Sequence, residues 1–121
     1  MSKKIAFILL YLIAFASFSQ NYNEVFKYQS YYDIDLVTQK ATLSSKYDTP
    51  MRIEFSGMWM YIYAPTYKTT YKILDSKRYK KAGYTYYRVQ NFQNNSQSTV
   101  WVYSDKVICR TSDTSQVIFH N

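Results

Sequence analysis

The chain has one cysteine, one histidine, two glycines and two prolines in 121 residues. Each scarcity excludes something. With Cys109 alone, no intramolecular disulfide can form, although small exported domains often rely on such bridges. Packing must hold this chain together. Cys109 sits in an apolar-alternating segment, where an unpaired cysteine acts as a small buried hydrophobe. His120 is the only histidine and lies next to the last residue. Zinc sites need clustered Cys and His, and none is spaced for one. No calcium loop, phosphate-cradling glycine loop or serine elbow is present. The sequence therefore calls for no metal and no cofactor, and it reads as non-catalytic. Asp33 and Asp35 fall on one side of a strand pattern, a spacing two carboxylates could use in glycoside hydrolysis. The plainer reading is the wet side of a strand.

Long apolar runs are also scarce. The one that occurs, Ile5 to Phe18, follows Lys3 and Lys4 and ends near the small residues Ser17 and Ser19. This is the layout of a removable export signal over residues 1–19. At fourteen residues it falls short of the ~20 that a membrane-crossing helix needs. The SFSQ ending resembles leaders of exported Gram-negative proteins, which implies a periplasmic or secreted domain. No cysteine sits at the junction, so a lipoprotein anchor is excluded. Residues 20–121 are then expected to form one β-rich domain with no transmembrane span.

What the sequence has in abundance is tyrosine, fifteen in all, with aromatic residues making up 20% of the chain. Aromatic and β-branched side chains suit a pleated, half-buried surface. After a polar lead of Gln20 to Asn23, period-two alternation predicts a long strand from Phe26 to Leu36. Its even-numbered residues point inward, and Lys27, Gln29, Tyr31, Asp33 and Asp35 point to water. Thr38 to Pro50 is polar and reads as a connection. Met51 to Phe55, a turn at Ser56-Gly57 and Met58 to Ala64 follow. The last of these is apolar or aromatic on both sides, which predicts a strand covered on both faces or lying at the centre of the fold. Further strands are expected over Thr69–Leu74, Tyr84–Asn91, Ser98–Tyr103, Lys106–Thr111 and Gln116–His120. No amphipathic helix stands out. The sequence predicts an all-β fold: an antiparallel meander of about eight strands, barrel-like, with a two-sheet sandwich as the alternative.

Charge is concentrated. Without Lys3 and Lys4, thirteen Lys and Arg face eight Asp and Glu, for a net +5. Between Lys68 and Arg88, seven cations face Asp75 alone, so the remainder is nearly neutral. The segment Asp75 to Val89, DSKRYKKAGYTYYRV, interleaves five of those cations with four tyrosines. Asp75 to Gly83 is expected to be the turn of a hairpin. Cations release counterions from a polyanion, and flat rings stack on it without sequence preference. The candidate binding residues are Lys68, Lys72, Lys77, Arg78, Tyr79, Lys80, Lys81 and Arg88. An anionic polysaccharide or another polyanion is the expected partner, and no specific nucleic-acid recognition is predicted. The plainer reading is a solvated hairpin whose lysines keep its edge unpaired. A second function class is a structural or inhibitory subunit that contacts a protein partner.

Overall fold

The computed structural model describes residues 22–121. The expected export signal lies outside them. Ten strands form one antiparallel sheet: β1 (Tyr22–Phe26), β2 (Tyr28–Ile34), β3 (Ala41–Tyr47), β4 (Met51–Ser56), β5 (Trp59–Tyr63), β6 (Lys68–Tyr79), β7 (Tyr84–Asn91), β8 (Gln97–Tyr103), β9 (Lys106–Ser112) and β10 (Ser115–His120). Their order is β1-β4-β5-β6-β7-β8-β9-β10-β2-β3. The sheet curls into a half-barrel, as the barrel-like expectation requires, and is not a two-sheet sandwich. Among the described residues no helix is long and apolar enough to cross a membrane.

From β4 to β10 the chain is a simple meander, and the alternation of its residues decides which face is buried. Ile53, Met60, Val89, Val100 and Val107 are all 0–1% exposed on the concave side. Phe55 and Tyr87 stack beside them at 4.4 Å. Cys109 is buried there and points away from His120, since its β10 partner is Val117. Burial pushes its thiol up to about 12.

The first segment departs from expectation. The anticipated strand from Phe26 to Leu36 begins earlier, at Tyr22, bends at Lys27 and ends at Ile34. Its first half pairs with β4 (Phe26 opposite Met51), its second with β10 (Tyr28 opposite His120). One residue separates the halves, and consecutive Cα atoms lie ~3.8 Å apart. The two strands at opposite ends of the meander, β4 and β10, are thereby drawn together at Lys27, whose N–H donates to Asn121 Oδ1 at 3.0 Å.

Further differences follow from pairing and from where β2 ends. Thr38–Pro50, expected to be a connection, contains β3, which pairs with β2 over Ala41–Tyr47. Gln29, expected in water, is 1% exposed, whereas Leu36, expected inside, is 60% exposed. β5 is buried only through Met60 and Ile62, while Trp59, Tyr61 and Tyr63 remain half-buried on the convex side. Asp35 is not a partner to Asp33 on a strand face. It lies past β2, and its Oδ1 accepts hydrogen bonds from the backbone N–H groups of Val37 and Thr38. Those bonds, Thr38's above all, hold its carboxyl below the usual value.

Candidate functional site

The site grows from one irregularity. β6 runs twelve residues, through Tyr79, so Asp75–Tyr79 is strand where a turn was expected. Only Lys80–Gly83 turns, with Gly83 at φ +76° and its N–H bonded to Tyr79 O at 3.0 Å. Against β7, Ile73 faces Val89 and Asp75 faces Arg88, which leaves Leu74 as an extra residue. A bulge of this kind shifts the odd–even alternation by one. Before it, Lys68 and Lys72 share the convex face with their β5 partners Tyr63 and Trp59. After it, Lys77 and Tyr79 share that same face with Tyr86 and Tyr84. Lys72 and Lys77 are five positions apart, so in an unbulged strand they would point to opposite faces.

The outcome is a lysine stripe down one strand with rings on both sides. Lys68 Nζ lies 5.1 Å from the Tyr61 ring centroid and 5.8 Å from that of Tyr63. Lys77 Nζ lies 5.1 Å from the Tyr79 ring. Tyr79, Tyr84 and Tyr103 continue as a ladder across β6, β7 and β8, with centroids 5.1 and 5.3 Å apart. Lys106 closes its far end, 4.9 Å from Tyr103. Each cation–ring contact is worth ~0.5–1 kcal/mol at an exposed site and leaves the ammonium open to an anion. Lys106 and Tyr103 escaped the sequence reading because they lie far along the chain. Their place on the ladder follows only from the β7–β8 register, Tyr84 opposite Tyr103.

Not all eight expected residues converge. Lys68, Lys72, Lys77 and Tyr79 share the convex stripe. Lys80 and Lys81 sit in the tip, where they line a shallow hollow with Arg78, Tyr79 and Ala82. Arg78 turns to the concave side instead, because its partner is the buried Thr85, to whose Oγ1 it donates at 3.0 Å. Arg88 faces outward but is taken up by Asp75, at 2.7 Å between Nη2 and Oδ2. Among the described residues the other ion pair is Arg52–Glu54, at 3.4 Å. The lysines of the stripe therefore have no carboxylate partner.

The only histidine is engaged with a neighbouring strand: His120 Nε2 lies 2.8 Å from Oγ of the buried Ser30. It acts as a strand-to-strand tie. Among the described residues no three His, Cys, Asp or Glu are grouped to hold a metal ion. No protein-family model, curated protein or solved structure matches the chain.

Proposed function

We propose that this domain is an exported, non-catalytic binding module that holds an extended anionic polysaccharide along the convex face of β6. The observation that carries the reading is the Leu74 bulge, which aligns Lys68, Lys72 and Lys77 on one face beside half-buried rings. At ~3.4 Å per residue the stripe is about 30 Å long, matched to a linear polymer rather than a small anion. Rings stack against the apolar faces of sugar units, and the ammonium groups meet their sulfate, phosphate or carboxylate substituents.

Elution from a heparin column in a salt gradient tests this. Each lost contact removes about 0.7–0.9 from the log–log salt slope, by analogy with polyphosphate binding. Replacing Lys68, Lys72 and Lys77 by serine lowers that slope by about 2 to 3. Replacing Lys27, Lys40 and Lys46, with the same change of net charge, lowers it by less than 1. Equal losses in the two triple variants would leave only non-specific attraction and end the proposal.

A protein-contact reading has one observation in its favour. β3 pairs only with β2, and Leu43 and Tyr47 on it are 53% and 54% exposed. An open edge can accept a strand from another chain. A molecular mass of one chain at micromolar to millimolar concentration, by light scattering, would remove self-association through that edge.

A further inference from the structure

The concave side carries a second cleft, on the face of the sheet away from the lysine stripe and independent of it. It lies between β2, the β3–β4 link and the β5–β6 loop, encloses about 400 Å³, and is lined by residues that include Gln29, Tyr31, Tyr47, Thr49, Met51 and Tyr67. Ligand sites typically span ~300–1,000 Å³, are mostly apolar and hold a few convergent polar groups. No charged side chain lines this one.

Two observations narrow what it would take. Gln29 is 1% exposed, its Nε2 donates to Thr49 O, and its Oε1 has no hydrogen-bond partner. A buried acceptor left unpaired is unfavourable and rare in native folds. Next to it, three rings stay open to solvent: Tyr31 at 36%, Tyr47 at 54% and Tyr67 at 59% exposed. Tyr31 and Tyr47 meet edge to face at 5.5 Å and 86°, forming a corner rather than a closed stack. An ion finds no counter-charge here. A purely apolar guest leaves Gln29 Oε1 unpaired. A saccharide ring offers both requirements at once: a C–H face for the tyrosines and hydroxyl donors for the amide oxygen.

We propose that this cleft is a binding site for a neutral saccharide unit, stacked on the Tyr31–Tyr47–Tyr67 rings and donating a hydroxyl hydrogen bond to Gln29 Oε1. Saturation-transfer NMR of the protein tests it with cellobiose, maltose and N,N′-diacetylchitobiose at millimolar concentration, and p-cresol as the aromatic comparison. At least one disaccharide is expected to receive saturation and to shift the side-chain amide signals of Gln29. Tyr47→Ala and Tyr67→Ala change exposed residues and keep the fold. Each is expected to weaken that disaccharide about tenfold, the scale of one stacked ring. Failure of all three disaccharides, binding of p-cresol alone, or unchanged affinity in both tyrosine variants would overturn the assignment.

Discussion

Deleting Leu74 from the middle of the longest strand is expected to leave the protein folded and binding. The reason lies in the register. Ile73 faces Val89 and Asp75 faces Arg88, which are consecutive on β7. Removing the extra residue restores one-to-one pairing, and every side chain before and after it keeps its face. The loss is the burial of Leu74 itself. A fully buried leucine is worth ~1.5–3 kcal/mol, and Leu74 is half-buried, so the loss is about 1 kcal/mol. For a domain of this size that lowers Tm by about 4–8 °C. The spacing of Lys72 and Lys77 shrinks by ~3.4 Å, and both stay on the convex side. Deleting Ser76 is the contrasting change. Its partner Tyr87 is 3% exposed, so the shortened ladder must set Asp75 or Lys77 opposite a core position. Burying a charge there costs several kcal/mol. Thermal melts by circular dichroism, with heparin elution on the same samples, compare the two deletions. Equal loss of stability in both, or loss of heparin retention in the Leu74 deletion alone, would refute the argument that register sets the binding face.

Alkaline stability depends on Cys109. Its thiol ionises at about 12 when folded, against ~8.5 in an open chain, because burial disfavours the thiolate. Between those values only the unfolded state gives up the proton. The contribution is full below pH ~8.5 and declines by about 1.4 kcal/mol per pH unit as pH rises toward the folded value. Urea midpoints from pH 8 to 10 should fall more steeply in the wild type than in Cys109→Ala; parallel lines contradict this. Above pH 10 the Tyr22 phenol, raised to about 12 chiefly by burial, steepens the decline in both proteins. In the core, Ile53→Ala at a position 0% exposed should cost ~2–5 kcal/mol. A Tm drop below about 8 °C would mean that the sheet closes over the cavity.

Side-chain alternation made the meander legible. Met51–Phe55, Tyr84–Asn91, Ser98–Tyr103 and Lys106–Thr111 bury the residues their period-two pattern selects, and Val107 and Cys109 are buried on one face. What escaped was decided by partners distant in sequence. Ala41–Tyr47 carries too few apolar residues to read as a strand, and pairing with β2 makes it one. Gln29 looks solvent-facing, yet β10 beside it and Thr49 above it enclose its amide. Lys77 to Tyr79 looks like a turn because charges crowd it, but Tyr86, Thr85 and Tyr84 across the ladder extend it. Clustered cations could be counted from the chain. Their sharing of a face depends on a bulge that has no composition signature.

The bend at Lys27 also governs the order of assembly. Ser30 and His120 are 90 residues apart, and their strands pair directly. A chain emerging amino-terminus first holds Tyr28–Ile34 without its neighbour until Ser115–His120 has emerged as well. Such non-local pairing makes for slow folding. Losing Ser115–His120 would therefore strip Tyr28–Asp33 of its mate, and the seam between the two would stay open.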